Sequence, residues 1–314
     1  MKNNILVIKH GAFGDVILAG AAMEAIRNYH KNDYITCLTT ERFRNILEES
    51  PWFDKVVSDL KPRWNNIKGW QNLKLMFQKY NFTTVYDLQT SYRSNLYFFI
   101  FFFTKNIKWC GIAYGSSHRH KSLNRKFMHT IDRQKAQLKL ANIEYNHLPN
   151  WKWLANNYKN NSIVPDNKFI ILVTGAAQHR LNKRWPKSNY ASLIENFSKI
   201  DMQCVLIGGK DEFDNIKNII SLVDNNIKKT PLNYAGMTSY KDIVYLSAYA
   251  QFAIGNDTGP IHLIATTGLS TIVLFGFASK PSLCAPKGNN VTILNKGSIK
   301  DISIDLVFNT IKNL

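Results

Sequence analysis

Three short blocks carry residue types suited to group-transfer chemistry. The first is His10-Gly11-Ala12-Phe13-Gly14-Asp15. Its glycines let the backbone come close to a ligand, and Asp15 supplies a carboxylate. That carboxylate either caps the helix that follows or acts as a general base on a hydroxyl. The pattern alone leaves the two readings equal. Gly11 and Gly14 do not match the dinucleotide fingerprint, so a dinucleotide site is rejected. The second block runs from Thr174 to Pro186, with Arg180, Lys183 and Arg184 in a glycine-containing loop. Lys offers a compact charge and Arg a planar fork, both suited to phosphate. A solvated charged loop is the equal alternative.

The third block, Gly255-Asn256-Asp257-Thr258-Gly259-Pro260-Ile261-His262, is the most specific. Pro260 suits the first turn of a helix. Asp257 and Thr258 are candidate caps, and the free N–H groups, the Thr258 hydroxyl and the helix dipole make an anion site. His262 lies within one turn of it. The plainer reading is a well-capped helix with a packed histidine.

These blocks fall between β-rich runs and helical patterns. Strands are expected at Ile5–Lys9, Tyr34–Thr39, Lys55–Ser58, Thr83–Leu88 and Ile107–Gly111. In the second half they are expected at Phe169–Thr174, Gln203–Ile207, Phe252–Ile254 and Thr271–Phe275. Helical patterns cover 13–29, 41–48, 134–146, 188–200, 212–223, 240–248, 259–267 and the tail from 302. Strand–helix alternation implies parallel strands joined by crossover helices. The segment 148–166, rich in Asn, Lys and Trp, is the expected linker. The fold class is α/β: two doubly wound, Rossmann-like parallel-sheet domains, 1–155 and 156–314, with ligands expected at the carboxyl ends of the strands, in the cleft between them.

Composition narrows the partners. Of 314 residues, 40 are Lys or Arg and 22 Asp or Glu, a net charge of +18. Such an excess suits a polyanion: nucleic acid, an anionic membrane face or a phosphorylated or carboxylated substrate. No helix-turn-helix, zinc finger or RNP signature supports nucleic acid. The four cysteines lie far apart and form no C-x-x-C pair, which argues against structural zinc. Two aspartates never stand one residue apart, and Glu212 and Asp214 read as first-turn carboxylates, so no metal cofactor is expected. The opening apolar run is too short for a signal peptide. Leu96 to Phe103 is too short to span a membrane and reads as a buried element.

The three blocks, in this order and spacing, resemble the ADP-heptose:lipopolysaccharide heptosyltransferases, glycosyltransferases of the two-Rossmann GT-B architecture. The resemblance covers nearly the whole chain, through Ile5–Lys9 with Gly14-Asp15-Val16, Asp87-Leu88-Gln89 with Arg93-Ser94, Lys183-Arg184-Trp185-Pro186, Gly208-Gly209, Ala235–Thr238, Asp257–His262 and Leu274-Phe275-Gly276. It implies that Asp15 is the general base on the acceptor hydroxyl. It implies that Lys183 holds the donor's phosphates, and that Thr258 and Gly259 take the pyrophosphate. Thr174, Met237, Asp257 and His262 are the further donor contacts. The implied reaction is inverting and metal-independent, from ADP-heptose to the lipopolysaccharide inner core. Family members often carry Ser or Thr before the Gly-Asp pair, where this chain has His10 to Phe13.

The basic residues Arg93, Arg119, Lys121 and Arg125 are assigned to an anionic acceptor. The expected protein is a monomer in the cytoplasm, peripheral at the inner membrane. Another nucleotide sugar feeding another surface polysaccharide is the alternative. A basic nucleic-acid-binding protein and a catalytically silent scaffold are more remote. The tail 302–314 is available to pack back on the first domain.

Overall fold

The computed structural model describes residues 2–102 and 106–312. Phe103 of the aromatic run and the last two tail residues lie outside the described residues. The chain forms two compact units, Met1–His147 and Leu148–Leu314.

The first unit holds β1 (Asn4–Ile8), β2 (Tyr34–Thr39), β3 (Lys55–Ser58), β4 (Thr84–Asp87), β5 (Lys108–Gly111) and β6 (His118–Arg119), in the order β3-β2-β1-β4-β5-β6. The second holds β7 (Phe169–Val173), β8 (Gln203–Ile207), β9 (Leu232–Asn233), β10 (Ala253–Asn256), β11 (Thr271–Phe275) and β12 (Val291–Asn295), in the order β12-β11-β10-β7-β8-β9. Every pairing in both sheets is parallel. Helices cover the faces, so central strands such as Phe-Ile-Ile-Leu-Val of β7 are buried throughout and read as unbroken apolar runs.

Each order reverses direction once: between β1 and β4 in the first unit, and between β7 and β10 in the second. Crossovers run to opposite sides there, so the loops leaving those strands splay apart and leave a crevice at the carboxyl ends. The Asp15 loop leaves β1. The Lys183 loop leaves β7, and the Asp257 block leaves β10.

Several expectations shift. The helix placed at 134–146 runs Thr130–Lys139. The short strands β6 and β9, two residues each, and the half-exposed β12 escaped the pattern. In the aromatic run, Phe98, Phe101 and Phe102 are buried beside Phe77 and Trp109, whereas Phe99 and Ile100 face outward. The segment expected as a linker packs on the second unit: Trp151 and Leu154 are buried. Tyr158 and Asn160 donate to Asp242 of the helix Tyr240–Ser247. The tail helix Ile304–Ile311 buries Val307 in the core of the second unit, with Phe308 5.2 Å from the ring of Phe197. Among the described residues no helix is long and apolar enough to cross a membrane.

Candidate functional site

In the first unit, β1 ends in buried Lys9 and His10. Gly11 follows at φ +121°, and a Cβ there would lie 2.4 Å from the Phe43 ring, so only glycine fits. The helix Phe13–Leu18 starts at once, and Asp15 Oδ2 accepts the Ala12 N–H at 3.3 Å. Asp15 therefore caps, and it is only half-buried, so the capping role leaves the carboxylate accessible. The loop after β4 ties to this one: the His10 N–H donates to Gln89 Oε1 at 2.9 Å. Asp87 Oδ1 in turn accepts the N–H groups of Gln89 and Thr90. Burial pushes the Asp87 carboxyl up to about 6 against those bonds. Burial holds the Lys9 ammonium below the ordinary lysine range, opposed by Asp15 and Asp87 and reinforced by Arg133.

His10 Nε2 also lies 3.0 Å from Asp59 Oδ2, off the axis of a good hydrogen bond, and Tyr97 donates its hydroxyl to the same oxygen at 2.5 Å. This buried cluster fastens the Asp15 loop to the segment after β3. Sequence reasoning gave His10 no role. Its only signal was a titratable residue in the loop after a strand.

Of the four expected acceptor cations, the three arginines have separate anchors. Arg93 donates to the Pro62 carbonyl at 3.2 Å and lies over the Trp70 ring. Arg119 donates to the Ile112 carbonyl at 3.3 Å. Arg125 contacts His120 Nδ1 at 2.6 Å and donates to Thr90 Oγ1 at 3.0 Å, and burial lowers its guanidinium to about 10. Lys121 is exposed.

In the second unit the switch point is built on Asn256, which is fully buried. Its Nδ2 donates to the carbonyls of Thr174 and Gly175 at 2.7 and 3.2 Å. Its Oδ1 accepts the Trp185 N–H at 3.1 Å and the Tyr190 hydroxyl at 3.0 Å. One side chain thus holds both ends of the loop 174–185. Gly255 lets β10 lie this close, since a Cβ would sit 2.5 Å from that of Val173.

The loop delivers Lys183 to Asp257. Lys183 Nζ donates to Asp257 Oδ2 at 2.6 Å, Ser279 Oγ donates to the same oxygen at 2.8 Å, and His262 Nε2 faces Oδ1 at 3.1 Å. Burial alone would raise the Asp257 carboxyl. The hydrogen bond and charge of His262, then the Lys183 ammonium, outweigh it and hold Asp257 at about 2. Three residues chosen from the sequence, Lys183, Asp257 and His262, therefore form one cluster.

Other expectations need correction. Asp257 does not cap the helix Gly259–Ala265, because its carboxylate faces Lys183 instead. Thr258 sits at the N-cap position without a side-chain cap bond, and its hydroxyl donates to the Asn256 carbonyl at 3.4 Å. Arg184 is committed elsewhere: its guanidinium donates to Glu212 Oε1 at 2.8 Å and to the Ala176 carbonyl at 2.9 Å. Glu212 does stand in a first turn, that of the short helix Lys210–Glu212, and is buried there against Arg184. Arg180 stays on the exposed side and donates to the Ala278 carbonyl at 3.3 Å. Thr174 is buried, with its hydroxyl unpartnered, and Met237 is 66% exposed in the loop after β9. Ser279 and Asn256 had no assigned role, because only the folded loops bring them to Asp257 and Thr174.

Each unit thus places one block of polar residues at its switch point: a half-buried carboxylate in the first, a lysine–aspartate–histidine cluster in the second. Comparison with known proteins identifies the family and the fold. Residues 70–304 match the model of glycosyltransferase family 9 (heptosyltransferase). Lipopolysaccharide heptosyltransferase 1 of Campylobacter coli is 25% identical over 311 residues, covering 87% of this chain and 83% of that one. Among solved structures, E. coli ADP-heptose lps heptosyltransferase II superposes with a TM-score of 0.79 at 19% identity, covering 100% of this chain and 98% of the other. E. coli heptosyltransferase WaaC with ADP gives 0.75 at 15%, covering 99% of each chain. With two Rossmann-like sheets in place and three quarters of its length inside the family model, this chain belongs to glycosyltransferase family 9, the heptosyltransferases.

Proposed function

We propose that this glycosyltransferase moves heptose from ADP-heptose to the inner core of lipopolysaccharide, with inversion and without a metal ion. The observation that carries the reading is the Lys183–Asp257–His262 cluster at the switch point of the second sheet. A lysine there is placed to meet a diphosphate. The curated relatives are named as lipopolysaccharide heptosyltransferases, and the solved ones as acting on or binding ADP-heptose and ADP.

In this reading residues 1–155 serve the acceptor and 156–314 the donor. Asp15 takes the proton of the acceptor hydroxyl, whose oxygen attacks the anomeric carbon. The bond to the diphosphate breaks, and ADP leaves with the electron pair. The sugar passes through an oxocarbenium-like state while charge grows on the departing phosphate. Lys183 and Arg180 meet that charge, with Thr258 and Gly259 alongside. Thr174, Met237, Asp257 and His262 shape the rest of the donor site.

Arg93, Arg119, Lys121 and Arg125 serve the phosphates and carboxylates of the acceptor. Of the four, Arg125 is the one bonded to a switch-point loop, through Thr90. The enzyme works as a monomer in the cytoplasm, peripheral on the inner membrane.

The test is a thermal-shift panel of ADP, UDP and GDP with EDTA present, followed by a transfer assay. A ligand at about 100 times its Kd stabilises by roughly 2.7 kcal/mol. Selective stabilisation by ADP and transfer with an inverted anomeric centre are expected. A preference for UDP or GDP would move the donor, and activity abolished by EDTA would overturn the metal-free mechanism.

A further inference from the structure

The Asp257 carboxylate divides its partners unevenly. Oδ1 faces His262, while Oδ2 is shared by Lys183 at 2.6 Å and Ser279 at 2.8 Å. Asp257 is buried, and a buried carboxylate that loses a charged partner is costly unless other donors remain. A diphosphate on this face competes with Asp257 for the Lys183 ammonium. Once Lys183 turns towards the phosphate, Oδ2 keeps one partner, the Ser279 hydroxyl.

Ser279 is well placed for that duty. It lies on the turn after β11, which is fastened by the Phe277 N–H donating to the Gly297 carbonyl at 3.0 Å. The same turn accepts Arg180 at the Ala278 carbonyl. One short turn therefore touches the partner of Lys183 and also touches Arg180, the two cations assigned to the phosphates.

We propose that Ser279 is a positioning residue for donor binding: its hydroxyl holds Asp257 in place so that Lys183 can pass from the carboxylate to the donor's diphosphate. The inference rests on the reading of Lys183 as the phosphate ligand. Without the hydroxyl, releasing Lys183 strands Oδ2, and the diphosphate must overcome that cost.

ADP binding by calorimetry, with steady-state kinetics, tests this on the full-length protein. Ser279→Ala should weaken ADP binding on the order of tenfold, the size of one hydrogen bond to a charged group. It should raise donor KM with kcat largely kept. Ser279→Thr, which retains a hydroxyl, should restore binding. In an Asp257→Asn background the added Ser279→Ala change should have no further effect, which a merely structural role would not produce. Wild-type ADP affinity in a folded Ser279→Ala protein would overturn the proposal, as would an undiminished loss in the Asp257→Asn background. Failure of the wild type to bind ADP would instead remove the donor reading itself.

Discussion

Lys183 and Asp257 meet at 2.6 Å across the switch point of the second sheet, one from the loop after β7 and the other from the end of β10. Adjacent strands whose crossovers diverge leave this gap, and the ion pair spans it. Removing the lysine should therefore affect both binding and stability. Lys183→Ala should weaken ADP by tenfold or more, and leave Asp257 with only His262 and Ser279 as partners, at a cost of about 1–3 kcal/mol. Calorimetric ADP titration and urea unfolding would measure the two effects separately.

Asp15 predicts a different split. Asn keeps the shape and the acceptor oxygen for the Ala12 N–H, but it cannot take a proton. Asp15→Asn should lower kcat by about 10²–10⁴, the usual worth of a general base, with ADP affinity and melting temperature near wild type. Single-turnover transfer assays beside a melting curve would check this. Near-normal turnover would reduce Asp15 to a helix cap.

Two buried carboxylates should respond to pH in opposite senses. Asp257, at about 2 in the folded chain, lies below the unfolded value near 3.9. Its contribution, about 2–3 kcal/mol, is complete above about pH 5 and is lost as pH falls towards 2. Asp87, at about 6, lies above the unfolded value, so its charged form costs about 3 kcal/mol at neutral pH, a penalty relieved as pH falls from about 6 to 4. Asp87→Asn should accordingly stabilise the protein at pH 7.5 and lose that advantage by pH 4. Asp257→Asn should destabilise it at pH 7.5, with the difference fading in acid. Urea midpoints at a series of pH values would show either trend.

Asn256→Ala should be severe. It strands the buried Trp185 N–H and two carbonyls and leaves the Tyr190 hydroxyl with only the Val173 carbonyl at 3.4 Å. A cost of about 3 kcal/mol or more follows from unsatisfied buried groups. Donor KM should rise as the Lys183 loop loosens. Retention of full stability would show that the loop holds itself.

Much of this was legible in the sequence because parallel strands covered on both faces read as apolar runs, and because Asp15, Lys183 and Asp257 stand in the segments that follow such runs. The two-residue strands β6 and β9 have no period to detect. The pairing of Asp257 with Lys183 rather than with its own helix was equally hidden, since capping and bridging demand the same residue type. Arg184 and Lys183 are neighbours of like charge, yet one pairs with buried Glu212 and the other reaches Asp257. Only the turn of the backbone between them separates the roles. Ser279 and Asn256 carry no local signal, because their partners lie far along the chain.

The strand order of both sheets also bears on how the molecule comes to exist. In each unit the pairing that flanks the site joins distant stretches of chain: Ile5 with Thr84, and Ile171 with Ala253. Closing such long loops is entropically demanding, and non-local contacts of this kind slow folding. During synthesis the Asp15 loop cannot reach its final setting until β4 has emerged, and the Lys183 loop must wait for β10. Each switch point is thus completed late, after the neighbouring strand on its other side, β2 or β8, has become available for pairing.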